Sequence, residues 1–416
     1  MSQFSRVRYE SFILRICLLF VGQFSLYEGF QDWNRGRADV HPEVAVLTLL
    51  IYGVSLFTIA LALMPSRTVF RFRNFPLLPL ILSTLVSVYV VAEIAYSGSY
   101  RTDVLAFSQY AAVLVTKGLN PYAQDLTPAL SMYRVQPSDL TPLSSGNYLT
   151  TFQYPSLHFL ILLPFVLGGV RDMRWVLAIF ELGIIFLLYS RSPRNLRPML
   201  ILPLFAGSDL LINFTASSVS DVLWVLPLLL VAFTLDEKPV LSGLFYGFAC
   251  ATKQPPWLLV PFLIIYLWHV QKTKERSEKL RRVAEFLGPA AALFLLVNLP
   301  FAYGDAATWF WNVMTPISSD LVILSQGPAV LSQVGLVHAG RGFYSFLAIG
   351  VMVVLVANYH VYFNKLRYVM WILPGVILWF SYRALTSYVI YWMPLMLASL
   401  ILWYNAESNH RSGRSR

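Results

Sequence analysis

Five polar residues interrupt stretches of the chain that are otherwise apolar: Asp209, Asn213, Asp221, Lys253 and Gln254. A sixth, Asp103, opens a run whose apolar residues Leu105, Phe107, Ala111, Leu114 and Val115 recur at roughly helical spacing. A charged group at the centre of an apolar helix costs about 2.5–3.5 kcal/mol on insertion scales, so such groups usually line a cavity. Carboxylates so placed can accept a proton, and an ammonium can hold an anion. Each also has a plainer explanation. Asp103 and Asp221 can cap helices, and Lys253 can snorkel to water. Asp209 is deeper and is harder to explain in that way.

The elements that position these residues follow from composition. Of 416 residues, 57% are hydrophobic and 12% charged, against about 45–50% and about 25% in soluble domains. A single soluble core cannot hold that apolar excess, which excludes a secreted enzyme, a cytosolic dinucleotide-binding protein and a nucleic-acid module. The formal charge of +10 fits basic loops beside a membrane rather than nucleic acid. The expected class is an all-α polytopic membrane protein. Cys17 and Cys250 lie in apolar segments and suggest neither a disulfide nor a metal framework. Residues 11–27 resemble a signal peptide's apolar region but lack a following small-residue cleavage site, so they read as a retained first helix. The sequon at Asn213 falls at a helix end and reads as chance.

Apolar segments fall near 11–27, 44–64, 76–97, 155–170, 174–190, 198–214, 219–235, 239–252, 255–270, 283–301, 343–361, 368–382 and 385–404. If 155–170 is half-inserted and returns to its own side, one face of the membrane carries 20 Lys and Arg and the other ten. If it crosses, those counts reverse. The positive-inside bias therefore favours about twelve spans plus one re-entrant or interfacial helix. Pro155, Pro164 and Gly168-Gly169 suit a short broken helix there. The two long loops, from Gly98 to Tyr154 and from about Tyr303 to Gly342, then face outward.

The first long loop reads as a membrane-surface amphipathic helix over 103–117, with Asp103 at its N-cap, Gly118 at its C-terminus and a turn at Asn120-Pro121. A second amphipathic stretch carries Trp309 and Trp311, most simply an interfacial aromatic belt. The order Asp103, Tyr110, Gly118-Leu-Asn120-Pro121-Tyr122, then Gln153-Tyr154-Pro155-Ser-Leu157 and a helix with an internal Pro, resembles the first outer loop of the GT-C glycosyltransferases. It is most similar to the polyprenyl-phosphate-mannose-dependent enzymes of glycosyltransferase family 87. Ser220-Asp221 and Gly243-x-x-x-Gly247…Lys253-Gln-Pro-Pro256 resemble later segments of that family. Ser156 stands where the family usually has a second Pro. A lone Asp103 replaces the Asp-x-Asp of some relatives, which leaves a divalent metal open, and three helices rather than one precede the loop.

The resemblance implies a GT-C-like fold and transfer of a mannose-like sugar from a polyprenyl-phosphate donor to a lipid or glycan hydroxyl on the extracytoplasmic face of the plasma membrane. No cofactor is expected. Asp103 would be the general base, and Lys253, with Arg383 or Arg341, would bind the donor phosphate. Asn120, Tyr122, Gln153 and Tyr154 would shape the sugar pocket, with Asp209, Asn213, Asp221, Gln254 and His338 lining the cavity. The chain then divides into three N-terminal helices (1–97), the outer catalytic loop (98–173), cavity-lining helices (174–301), a second outer loop (302–342), and C-terminal helices with a basic cytoplasmic tail (343–416). A lipid or glycolipid transporter is the alternative, disfavoured by the absence of inverted repeats. A structural subunit of an envelope-assembly complex is a third reading. Product formation from a polyprenyl-phosphate sugar without a gradient separates the enzyme from the carrier.

Overall fold

The computed structural model describes residues 42–64, 98–193, 214–271 and 275–413, with scattered positions between 15 and 26, between 77 and 85, and at 197. The chain divides into two units, one comprising 1–97, 181–216 and 404–416, the other 98–180 and 217–403. The described residues are mostly helical, with two strands of two residues each.

Among the described residues, four stretches are long and apolar enough to cross a bilayer: Ala45–Leu63, Arg276–Ala302, Arg341–Val361 and Thr386–Glu407. The first three lie in α1 (Pro42–Leu63), α9 (Arg276–Ala302) and α11 (Arg341–Val361), and the fourth runs from a short helix at Thr386–Ile390 into α13 (Met393–Gly413). Shorter apolar helices include α6 (Val222–Thr234), α7 (Pro239–Thr252) and α8 (Val260–Val270). At 1.5 Å per residue each reaches no more than about 21 Å, less than the roughly 30 Å of a hydrocarbon core. The expected spans 11–27, 76–97 and 198–214 lie largely or wholly outside the described residues.

In the first unit, Gly22 meets α1 so closely that a Cβ would strike the Ile59 side chain. The Arg15 guanidinium donates to the Ala62 carbonyl at 3.3 Å.

The second unit holds the long loops. Residues 155–170 form two short helices, α3 (Leu157–Leu160) and α4 (Leu163–Leu167), followed by Gly169 at φ +76°. From Leu157 to Leu167 they span about 16 Å at helical rise. Next comes α5 (Arg174–Arg191), which runs on into the first unit. The helix α2 (Asp103–Thr116) begins and ends where its pattern indicates, with Gly118 at φ +73° behind it.

Its setting differs from the expected membrane-surface helix. Most of α2 is buried, and it packs against α3 and α4. The polar residues that would have faced headgroups are satisfied inside. Gln109 accepts from the Tyr100 hydroxyl at 2.6 Å and donates to the Arg171 carbonyl at 2.9 Å, and Ser108 donates to Val104 at 2.6 Å. The N-cap differs too. Thr102 holds that position without a capping bond, and Asp103 is the first helical residue.

Gly243 and Gly247 let α7 lie against α9. A Cβ on either would run into the backbone, at the Phe286 and Ala290 carbonyls respectively. Small residues four apart permit this approach, which dispersion then stabilises. Gly247→Ala should destabilise the protein by about 1–3 kcal/mol, the usual range for overpacking. Thermal unfolding in nanodiscs checks this, and an unshifted midpoint would refute it.

Past α9, Asp305 caps α10 (Ala306–Val313) by accepting from the Thr308 amide at 2.9 Å. Trp311 is exposed on it and Trp309 half-buried. The loop continues into β1 (Leu324–Ser325), which pairs in parallel with β2 (Arg383–Ala384), where the chain leaves α12 (Leu373–Trp379). The expected span 368–382 is thus a short helix with a turn before it and a strand after it.

Candidate functional site

Asp103 is 2% exposed, and its Oδ2 accepts from the Thr141 amide at 2.7 Å. That amide lies at the root of a tight hairpin closed by the Pro142–Tyr148 bridge. The carboxylate is thus held across the loop, not on its own helix. Burial pushes the Asp103 carboxyl above its usual range, while the Thr141 hydroxyl and amide and the Arg383 guanidinium pull it back. Arg383 lies on β2, and its Nη1 is buried without a hydrogen-bond partner among the described residues.

Asp221 and Lys253 form a second charged group. The Lys253 ammonium donates to Asp221 Oδ2 at 2.7 Å, with both side chains buried. Asp221 Oδ1 accepts from the Trp224 indole at 2.8 Å. Asp221 stands at the N-cap position of α6, yet its side chain makes no capping bond. Lys253 is no snorkelling anchor either, because it is 5% exposed and ends α7 pointing at a carboxylate.

Tyr154 joins the two groups. Lys253 Nζ stands 5.1 Å from the centre of its ring, and His158 stacks on that ring at 4.6 Å. Charges on Asp103, Asp221 and Arg383 all act on the Tyr154 phenol, and burial keeps it neutral. His158 is enclosed. Its Nδ1 lies 2.9 Å from the Thr252 carbonyl, which can only accept, so Nδ1 carries the proton. Nε2 is then the acceptor for the Ser220 hydroxyl at 2.9 Å.

The other expected pocket residues build the surroundings. Tyr122 donates its hydroxyl to the Tyr154 carbonyl at 2.6 Å, and Asn120 donates to the Phe301 carbonyl at 2.9 Å. Gln254 bridges the Gln153 and Val313 carbonyls at 2.7 Å each. The Asn120, Tyr122 and Gln254 side chains therefore secure backbone carbonyls, and Gln153 is buried beside them.

Arg341 pairs with Asp320 and donates to the Ser319 carbonyl. His338 is exposed, and nothing among the described residues joins it to the cluster. Asp209 and Asn213 lie outside the described residues. The sequence reading missed Thr141, His158 and Ser220 as members of the site, and Tyr388, whose phenol acts on that of Tyr154, as a neighbour. Only His158 carried a signal, being a titratable residue one turn into an apolar segment. It also missed Glu181, buried on α5 in the first unit with Oε1 unpartnered among the described residues.

An apolar cavity of about 590 Å³ lies between α7, α9 and α10, lined by Gly247, Cys250, Ala290, Phe294, Trp309 and Val313 among others. Its lining includes Cys250, about one helical turn before Lys253, and Val313, one of the two residues whose carbonyls Gln254 holds. Among the described residues no three His, Cys, Asp or Glu side chains gather closely enough to hold a metal ion.

No family model, curated protein or solved structure matches this chain.

Proposed function

We propose that the chain transfers a sugar from a polyprenyl-phosphate donor to an acceptor hydroxyl at the extracytoplasmic membrane surface, within a GT-C-like, twelve-span arrangement. One observation carries the reading. A buried carboxylate, Asp103, is fixed by the Thr141 amide, and the Arg383 guanidinium that acts on it has a buried nitrogen without a partner among the described residues.

The reaction needs little more. The acceptor oxygen attacks the anomeric carbon, its proton passes to Asp103, and the bond from that carbon to the phosphate oxygen breaks. The polyprenyl phosphate leaves with the electron pair. A carboxylate held above its ordinary range is the stronger base, and a cation fixed beforehand stabilises the departing charge. Arg383 takes precedence over Lys253 for the phosphate, because Asp221 already neutralises Lys253. A cavity of 590 Å³ falls within the roughly 300–1,000 Å³ typical of ligand sites, and its lining suits an isoprenoid chain.

Purified protein in proteoliposomes should convert a polyprenyl-phosphate sugar to product with no ion gradient. Movement of donor across the bilayer without product would refute the enzyme and favour a carrier. Activity should fall on the acid side along a limb lying above the usual carboxylate range of about 4, because Asp103 must be ionised to act.

Sidedness is tested separately. Single cysteines at the exposed positions Ser144 and Arg171, on a background without Cys17 and Cys250, should both react with an impermeant thiol reagent added outside. A cysteine at exposed Glu237 should not. Reaction of 144 but not 171 would mean that 155–170 crosses.

A further inference from the structure

Residues 319–326 run as an extended segment that pairs with two partners in succession. In its first half the Ser144 amide donates to the Asp320 carbonyl at 2.7 Å, the Val322 amide donates to Pro142 at 3.3 Å, and Leu143 bridges Leu321. In its second half the Leu324 amide donates to Tyr382 at 3.3 Å and the Gln326 amide to Ala384 at 2.8 Å, the ladder that joins β1 to β2. The first partner is the hairpin whose neighbouring residue, Thr141, holds Asp103. The second contains Arg383 itself.

We propose that residues 319–326 are a positioning strap that sets the separation between Asp103 and Arg383, with Arg341 as the side chain that anchors it. From Leu321 to Leu324 an extended chain covers about 10 Å, and a hydrogen-bonded strand neither stretches nor shortens easily. Arg341 ties down the beginning of the strap through Asp320 and the Ser319 carbonyl. Beneath it lies a small apolar cluster of Leu149, Leu321, Ala329, Tyr344 and Tyr382, drawn from the hairpin, the strap, the turn after it, α11 and the β2 segment. Tyr382 also donates its hydroxyl to the Pro316 carbonyl at 2.6 Å. The carboxylate and the guanidinium sit on elements far apart in the chain, and this strap joins them through continuous backbone bonding. A guanidinium paired in this way serves the loop and not the donor.

The proposal deepens the transferase reading, so its test has one arm that needs no turnover. Leu324→Pro removes the amide that bonds Tyr382 and weakens the strap's hold on β2, leaving the Gln326 amide bond to Ala384. Arg341→Ala loosens the other anchor more gently and decides the matter should the proline variant unfold. In the full-length protein in nanodiscs, amide exchange at Thr141 should quicken by about tenfold in Leu324→Pro, although that amide bonds Asp103 and not the strap. Arg341→Ala should quicken it severalfold, and Arg341→Lys less. In the assay kcat should fall by about tenfold with the donor KM little changed, as misplacement predicts. The acid limb should move to higher pH, because a carboxylate with weakened Thr141 and Arg383 contacts protonates more readily. The other titratable groups in that environment are Asp221, Tyr382, Tyr388 and Tyr154, and burial keeps the Tyr154 phenol neutral.

Exchange at Thr141 that stays at its wild-type rate while 322–326 opens would overturn the proposal. So would a raised donor KM with unchanged exchange in Arg341→Ala, which would return Arg341 to the phosphate. Wild-type protein without transferase turnover would count against the proposed function alone, since exchange still judges the strap.

Discussion

Asp103→Asn should lower turnover by about 10²–10⁴-fold, the range lost when a positioned general base is removed. The substitution suits this site, because an asparagine Oδ1 can still accept from the Thr141 amide. Only the proton-accepting capacity is lost, so folding and donor binding should persist. The measurement is turnover of the purified variant beside its thermal unfolding and a donor titration. Wild-type turnover in Asp103→Asn, with Asp221→Asn inactive but folded, would transfer the base to Asp221. The geometry argues against that outcome. Both oxygens of Asp221 are engaged, one by the Lys253 ammonium and one by the Trp224 indole.

Lys253→Met should destabilise the protein by about 3–5 kcal/mol, the usual consequence of removing one partner of a buried ion pair. The loss arises from the Asp221 carboxylate, which would remain buried with only an indole for company. Adding Asp221→Asn should therefore recover part of the stability, since the uncompensated charge disappears and Trp224 keeps an acceptor. Denaturation of the single and double variants in nanodiscs gives the comparison. A phosphate ligand would behave otherwise, with intact folding, weakened donor affinity and no rescue by the second substitution. That pattern would restore Lys253 to the donor site.

The elements were legible in the sequence where pattern alone decides them. The helix over 103–116, the glycine behind it and the turn at Asn120-Pro121 follow from local chemistry. The break in 155–170 follows from its prolines and glycines. The setting of these elements was less legible. The 103–116 segment has the spacing of a surface helix, but Gln109 finds its partners at Tyr100 and Arg171, and that long-range satisfaction is what lets the helix be enclosed. The candidate site was legible as a set of costly polar residues and illegible as a set of pairs. Nothing in the spacing of Asp221 and Lys253 says that they meet, and Thr141 contributes to Asp103 through a backbone amide that any residue type could supply. Arg383 owes its place to a two-residue strand, too short to leave a periodic signal.

Gly247 and Ala290 have two duties, as a close backbone approach of α7 to α9 and as wall residues of the apolar cavity. This makes that end of the cavity a fixed stop at Gly247, because a larger residue there would first push the two helices apart and no smaller residue exists. The opposite wall, formed by Phe294, Trp309 and Met314, has no such backbone restriction. Selection for longer or bulkier guests would therefore act on the aromatic wall and leave the glycine wall alone. Variants of the cavity would differ in depth at one end only, like a measuring gauge whose zero is set by a helix crossing.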